Sequence, residues 1–334
     1  MPLSALANLL GDRLHALPLA VVYLTDRCNS RCVMCDYWQF GQTNLSPDRA
    51  RGLAAEFDRL DTRQVLLSGG EPLLHPQWAD VARILSGGRR RLWLLTAGLS
   101  LQKHVEAAAD LCHNITVSLD GATPETYRAV RGVDAFDAVC AGIRAAVERG
   151  AEVSIRCTVQ RANYCELPKL IDLAHDLGVK QISFLAIDVL THLAFARRDA
   201  VTATLALDPG DLPDFARILG DLTRTHATDF TSGFIAESPA KLPHLHQYFA
   251  ALHGLAEFPP VRCNAPQFSA VFTPDGRIQP CFFIGPKPEV GIQNTELNAP
   301  EMMTLRREIR EGKRNECKTC VCSMHRGVRG LMSF

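Results

Sequence analysis

Three cysteines lie within eight residues of the sequence, at Cys28, Cys32 and Cys35. In a compact loop, this C-x3-C-x2-C spacing can bring three thiols to one point. A structural zinc site takes four protein ligands, and the sequence offers no fourth candidate nearby. An iron–sulfur cluster held by only three thiolates has one iron free to bind another molecule. The spacing therefore indicates such a cluster.

The cysteine loop follows an apolar segment, residues 19–25, whose composition predicts a β-strand. Further strands are predicted at 64–68, 92–96, 115–119, 153–159 and 182–187, with helices near 47–60, 77–86, 101–111, 134–149 and 166–177. This alternation predicts an α/β fold in which helical crossovers join parallel strands. In such folds the chemistry gathers at the carboxyl ends of the strands.

The second strand ends in Ser68-Gly69-Gly70-Glu71-Pro72. Together with the cysteine spacing after the first strand, this Gly-Gly-Glu segment resembles the radical S-adenosylmethionine (radical SAM) superfamily. The resemblance implies a partial (β/α)6 TIM-like barrel. It also implies that Cys28, Cys32 and Cys35 bind a [4Fe–4S] cluster whose free iron chelates SAM. Reduction of that cluster would cleave SAM to a 5′-deoxyadenosyl radical, which abstracts a hydrogen atom from the substrate.

The resemblance further implies which side chains surround SAM. The candidates are Gly69, Gly70, Glu71, Ser118, Asp120, Arg156, Asn163, Met34 and Tyr37. The Gly-Gly-Glu segment would bind the SAM amino group, and Ser118 and Asp120, predicted to share one strand face, would lie near its ribose and methionyl portion. Arg156 is either a lumenal partner of the SAM carboxylate or a surface arginine. For Tyr37, core packing is the alternative.

A second cysteine set lies near the end of the sequence and comprises Cys263, Cys281, Cys317, Cys320 and Cys322. A Pro-Asp-Gly turn at 274–276 predicts a β-hairpin that returns Cys281 towards Cys263, and a helix is predicted near 300–311. This arrangement resembles the twitch and SPASM extensions of radical SAM enzymes. The resemblance implies an auxiliary [4Fe–4S] cluster bound by Cys263, Cys281, Cys317 and Cys320.

Two alternatives remain open for the second set. Cys322 is either an alternative ligand or a free thiol able to donate a hydrogen atom. Four thiolates would also satisfy a structural zinc ion.

The predicted organisation has four regions: an N-terminal lead-in (1–18), the radical SAM barrel (19–190), a helical bridging and substrate-covering region (191–260), and a twitch-type C-terminal domain (261–334). We expect no leader-recognition domain before the barrel, which would disfavour a peptide maturase that carries its own leader reader but not one that borrows it.

Composition narrows the range of partners. The formal net charge is zero, which gives no argument for nucleic acid or an anionic membrane. The apolar run at 17–24 is too short to span a membrane and lacks signal-peptide features. Clustering of the twelve cysteines favours cluster binding over disulfides. We therefore expect a cytoplasmic protein. The resemblance to radical SAM enzymes further implies an electron donor such as flavodoxin or ferredoxin.

The coordination number of the second cluster determines the expected reaction. Four protein thiolates leave no iron open, so the auxiliary cluster would accept an electron from the substrate radical. Hydrogen abstraction followed by loss of that electron is a two-electron oxidation. Twitch-type dehydrogenases carry out such an oxidation, and the resemblance to them implies an oxidoreductase that acts on a small polar metabolite such as an aminocyclitol or a sugar. The alternatives are redox-neutral epimerisation of a sugar or peptide carbon, peptide maturation and, more distantly, a non-catalytic zinc-binding protein.

Overall fold

A computed structural model describes residues 3–191, 195, 203–284, 296–322 and 324–332 of the chain. Its eight strands form one sheet in the order β6-β5-β4-β3-β2-β1-β7-β8. All neighbours are parallel except β7 and β8, which form an antiparallel hairpin. The strands are β1 (Leu19–Thr25), β2 (Gln64–Gly69), β3 (Arg91–Thr96), β4 (Cys112–Ser118), β5 (Val153–Val159), β6 (Gln181–Ala186), β7 (Ser269–Phe272) and β8 (Ile278–Gln279).

Most of the described helices connect successive strands, whereas one precedes β1 and three follow β8. The helices are α1 (Leu3–Ala7), α2 (Tyr37–Phe40), α3 (Pro47–Arg59), α4 (Trp78–Leu85), α5 (Val105–Leu111), α6 (Pro124–Arg131), α7 (Phe136–Glu148), α8 (Leu167–Asp176), α9 (Leu212–Thr225), α10 (Ala227–Ser232), α11 (Leu242–Leu252), α12 (Pro300–Arg310), α13 (Asn315–Lys318) and α14 (Val328–Met332). No helix in the described ranges is both long enough and apolar enough to cross a membrane.

The two faces of the sheet differ in burial. On β5, Val153, Ile155 and Cys157 are fully or almost fully buried in the main core. On the opposite face of this interior strand Arg156 is exposed. The inner face therefore opens to solvent, as expected for the lumen of a partial barrel.

The lumen wall is polar on one side and apolar on the other. By strand alternation, β4, β5 and β6 direct polar residues inward, among them Thr116, Ser154 and Ser183. Near β1 and β7 the inward residues form an apolar cluster around Tyr23 and Val271. The lumen therefore presents both kinds of surface.

The six predicted strands and the predicted α/β class are confirmed. The sequence analysis did not predict the short helix α6. Two residues nevertheless mark its ends. The hydroxyl of Thr123 accepts a hydrogen bond from Thr126 N at 3.3 Å at the start, and Gly132 adopts a left-handed conformation at the end. The prediction that Asp120 shares a strand face with Ser118 is wrong, because β4 ends at Ser118.

The C-terminal hairpin is part of the barrel sheet. β7 pairs with β1 in parallel, with Leu19 opposite Ser269 and Val22 opposite Phe272. The division into four regions stays a prediction, and parts of the bridging and C-terminal regions, 192–194, 196–202, 285–295, 323 and 333–334, lie outside the described residues.

Candidate active site

The cysteine loop begins where β1 ends, and the Gly-Gly-Glu segment holds its first residues. The backbone N–H of Gly70 donates to Thr25 O at 2.8 Å, and that of Glu71 donates to Arg27 O at 2.7 Å. A Cβ on Gly70 would lie 2.2 Å from Arg27 O, so only glycine permits this approach. The segment thus fixes the backbone just before Cys28.

Helix α6 holds the middle of the same loop. Arg31 N donates to Arg131 O at 2.9 Å, and Val33 N donates to Val130 O at 3.1 Å. Gly132 adopts a left-handed conformation with φ of 69°, and a Cβ there would lie 2.1 Å from Arg31 O. The carboxyl end of α6 therefore positions the backbone around Cys32.

The loop brings Cys28, Cys32 and Cys35 together, each half-buried. Burial raises the pKa of Cys28 and of Cys35 to about 12 and raises the pKa of Cys32, while charge on neighbouring thiols adds to the rise for Cys28 and Cys35. The Arg131 guanidinium opposes the rise at all three thiols. Three converging thiols beside a buried cation suit an anionic, thiolate-bound cluster, whose binding would release protons.

Glu71 is fully buried, and its carboxylate has partners within the protein. Oε1 accepts hydrogen bonds from Leu73 N at 3.0 Å and Thr96 Oγ1 at 2.8 Å, and Oε2 accepts one from Ala97 N at 2.6 Å. These bonds join the ends of β2 and β3. That Gly69, Gly70 and Glu71 bind the SAM amino group stays a prediction.

Asp120 and Asn163 are also fully buried. Asp120 accepts hydrogen bonds from Thr158 N at 2.6 Å and Arg131 Nη1 at 3.0 Å. Asn163 Nδ2 donates to Asp120 O at 2.8 Å and Thr158 O at 3.0 Å, while its Oδ1 accepts from Gln160 N at 2.8 Å. Both side chains connect the ends of β4 and β5, and their predicted contacts with SAM are untested.

Ser118 and Arg156 are opposite each other in the pairing of β4 and β5, on the lumen face. Ser118 is half-buried and Arg156 is exposed, with Arg156 Nε donating to Ser183 Oγ at 3.4 Å. The guanidinium is thus a lumenal group that a ligand can reach. Met34 is buried in the main core.

The second set also converges. Cys263 interacts electrostatically with Cys281, Cys317, Cys320 and Cys322. Burial raises the pKa of Cys281 to about 12 and that of Cys317 to about 11. Cys320 Sγ accepts a hydrogen bond from Cys322 N at 3.4 Å, a contact typical of thiolates that bind metals or clusters. All five predicted cysteines therefore lie in one region.

Cys322 is close enough to the barrel to sense its charges. Burial raises the pKa of Cys322, while the charges of Arg156 and Lys241 oppose that rise. No group of three His, Cys, Asp or Glu side chains in the part of the chain that the structure describes is arranged to hold a single metal ion.

Sequence reasoning missed two side chains of this site, Arg131 and Lys241. Lys241 belongs to a short helical turn before α11, in a region with no motif. For Arg131, the boundary signals on either side of residues 124–131 could have predicted a helix that ends at this residue.

Comparison with known proteins places this geometry in a family. The radical SAM superfamily model matches residues 22–193. A GTP 3′,8-cyclase of Erythrobacter litoralis is 34% identical over 188 residues, which cover 53% of this chain and 56% of the relative. A pre-heme d1 synthase of Dinoroseobacter shibae is 31% identical over 189 residues, or 54% of this chain and 45% of the relative. The chain thus spans about half the length of these curated relatives.

Solved structures share the fold. Streptococcus suis SuiB bound to S-adenosylmethionine has a TM-score of 0.66 at 16% identity, covering 96% of this chain and 75% of SuiB. The anSMEcpe enzyme with bound AdoMet and Kp18Cys peptide has a TM-score of 0.64 at 18% identity, covering 92% of this chain and 88% of anSMEcpe. With its cysteine loop on the first strand of a partial barrel and a family match over residues 22–193, the chain belongs to the radical SAM superfamily.

Proposed function

We propose that this chain cleaves SAM reductively and oxidises a small polar substrate held in the barrel lumen. The observation that carries the proposal is the position of three groups around one lumen. These are the Cys28, Cys32 and Cys35 thiols, the Ser118–Arg156 pair, and Cys322 beside Arg156.

The three thiols of the first set hold a [4Fe–4S] cluster, and Cys263, Cys281, Cys317 and Cys320 hold a second one. When bound, the first cluster and SAM supply a 5′-deoxyadenosyl radical, and the second cluster supplies a one-electron acceptor. The chain's own task is to fix both sets against the same sheet. The cysteine loop is fixed by its hydrogen bonds to the Gly-Gly-Glu segment and α6, and the second set is fixed through the hairpin that pairs with β1.

Arg156 and Ser118 are the proposed binding groups for the SAM carboxylate. A guanidinium on an open lumen face can form charge-assisted, paired hydrogen bonds to a carboxylate. Because the Glu71 carboxylate is engaged by Leu73, Thr96 and Ala97, we assign the SAM amino group to backbone atoms at Gly69 and Gly70. Asp120 and Asn163 then serve to hold the strand ends around SAM.

The polar lumen wall of β4–β6 supports a polar substrate. A substrate with hydroxyl or amine groups would pair with Thr116, Ser154 and Ser183, whereas a purely apolar molecule would leave them unpaired. The names of the sequence relatives refer to a nucleotide and a haem precursor, which also favour a small molecule.

Redox-neutral epimerisation is a second candidate because of Cys322. A thiol that senses the charge of Arg156 and of Cys263 could return a hydrogen atom to the substrate radical, and the thiyl radical left behind would recover by taking one electron from the second cluster and one proton. In that case the Cys322→Ala variant would lose epimerised product yet still cleave SAM, whereas the oxidation would continue without this thiol.

The test is iron content and EPR of anaerobically reconstituted protein, compared with a Cys28→Ala, Cys32→Ala, Cys35→Ala triple variant. We expect about eight irons per chain, falling to about four in the variant, with loss of SAM cleavage. Cys165→Ala, which alters an exposed cysteine outside both sets, should match the wild type. Intact SAM cleavage in the triple variant would refute the cluster assignment. About four irons in the wild type and none in the variant would refute the second cluster and the oxidation with it.

A further inference from the structure

Arg131 is a buried cation at the carboxyl end of α6. Its side chain is 9% exposed, and its Nη1 lies 3.0 Å from Oδ2 of Asp120, whose side chain is 1% exposed. Asp120 is in turn held by Thr158 N at 2.6 Å and, through its backbone carbonyl, by Asn163 Nδ2 at 2.8 Å. Strands β4 and β5 therefore fix this guanidinium in place.

The same guanidinium interacts with all three thiols of the cysteine loop. The hydroxyl of Tyr127 also lies beside it. Within the described ranges, Arg131 Nε is buried and makes no hydrogen bond. Buried arginine N–H groups normally have an acceptor, so this donor is available to a group that binds at the thiols.

We propose that Arg131 sets the reduction potential of the cluster at Cys28, Cys32 and Cys35. One-electron reduction adds a negative charge to the cluster, and a fixed cation in a poorly solvated position stabilises the reduced form. A hydrogen bond from Nε–H to a cluster sulfur acts in the same direction. The electron comes from the external one-electron carrier, and Arg131 makes its transfer more favourable. This inference rests on the cluster assignment proposed above.

A purely structural role predicts something different. If the Asp120–Arg131 pair only attached α6 to the strand ends, its loss would lower stability and iron content together, and any cluster that remained would have an unchanged potential. The potential therefore separates the two roles.

The experiment is an EPR-monitored redox titration of the reconstituted holoenzyme, following the signal that changes when SAM is added. In Arg131→Gln we expect the ratio of reduced to oxidised cluster at a fixed potential to fall about tenfold, a shift of ~59 mV for a one-electron couple. Arg131→Lys, which keeps the charge, should recover most of the reduced fraction. Arg128→Gln, an exposed arginine on the same helix, should titrate like the wild type.

The double variant Asp120→Asn, Arg131→Gln avoids a buried unpaired carboxylate and is the form to titrate if the single variant fails to fold. Measured against the single variant Asp120→Asn, it removes only the cation and should show the same fall. An unchanged potential in a variant with full iron content would refute the role of Arg131 while leaving the cluster assignment intact. A wild type that takes up no iron at the first set would refute the cluster assignment itself.

Discussion

The rings of Tyr23 and Tyr37 meet edge to face, with centroids 6.1 Å apart. Tyr23 lies on the lumen face of β1 and interacts electrostatically with both Cys35 and Cys281. Phe282 stacks on the same ring at 6.3 Å. A single residue of β1 thus connects the two cysteine sets.

We expect Tyr23→Ala to weaken both sets at once. Removing a buried aromatic ring costs about 3–5 kcal/mol of unfolding free energy, and here the cavity would adjoin Tyr37 and Phe282. Iron content should fall at both sites, measured as total iron and as the two EPR signals. Tyr23→Phe removes only the hydroxyl and should cost about 1 kcal/mol with full iron content.

Tyr248→Ala is the matched control for this loss of stability. Tyr248 is 3% exposed on α11, where it packs against Phe249 and Phe258. It should destabilise the protein to a similar extent while both EPR signals persist. Equal loss of iron in the two variants would mean that general destabilisation, and not the Tyr23 contacts, controls cluster binding.

Gly70→Ala should disrupt the cysteine loop. The new Cβ would lie 2.2 Å from Arg27 O and 2.7 Å from Asp26 O, and backbone atoms cannot move aside at low cost. We expect a loss of about 1–3 kcal/mol and reduced iron at the first set, measured by denaturant unfolding and iron analysis. Gly52→Ala, within α3 and with no atom within 4 Å of its Cβ, should instead raise stability by up to about 1 kcal/mol. Normal iron content in Gly70→Ala would show that the cysteine loop tolerates a displacement of the backbone just before Cys28.

The structure brings each of the two cysteine sets together, and their role as cluster ligands stays a prediction. Sequence patterns predicted the parallel strands, because strand periodicity is a local signal. They did not predict that Glu71, Asp120 and Asn163 direct their polar groups into the protein. Those partners, such as Ala97 N and Thr158 N, come from other strands. Likewise, the pairing of β7 with β1 joins residues some 250 positions apart, and no local pattern encodes it.

Arg156→Gln should weaken SAM binding about tenfold or more, the effect of losing a charge-assisted hydrogen bond worth about 1.5–3 kcal/mol. The measurement is equilibrium binding of SAM to the reconstituted, oxidised protein, in which no cleavage occurs. Arg144→Gln, an exposed arginine on the outer helix α7, serves as the control and should bind SAM normally. Unchanged SAM affinity in Arg156→Gln would show that Arg156 does not bind the SAM carboxylate, and its proposed role would then be substrate binding.

His75 should make stability depend on pH. The ring is 3% exposed, with Nε2 2.8 Å from Leu45 O and Nδ1 accepting from Gln77 N at 3.1 Å, so the neutral form fits this site. Burial lowers the pKa of His75, although the bond to Leu45 opposes the shift. The unfolded chain, with an ordinary pKa near 6.5, therefore binds the proton first. The contribution of His75 to the unfolding free energy is therefore complete above about pH 6.5. It is lost as the pH falls towards the lower pKa of the folded state.

The measurement compares the unfolding free energy of wild type and His75→Gln between about pH 7.5 and 5. The variant should be less stable at pH 7.5 by about 1–3 kcal/mol because a buried hydrogen bond is lost, and its stability should fall less steeply on acidification. Some slope will remain, since burial also lowers the pKa of His104. An identical slope in His75→Gln would show that His75 takes up no proton differentially on unfolding.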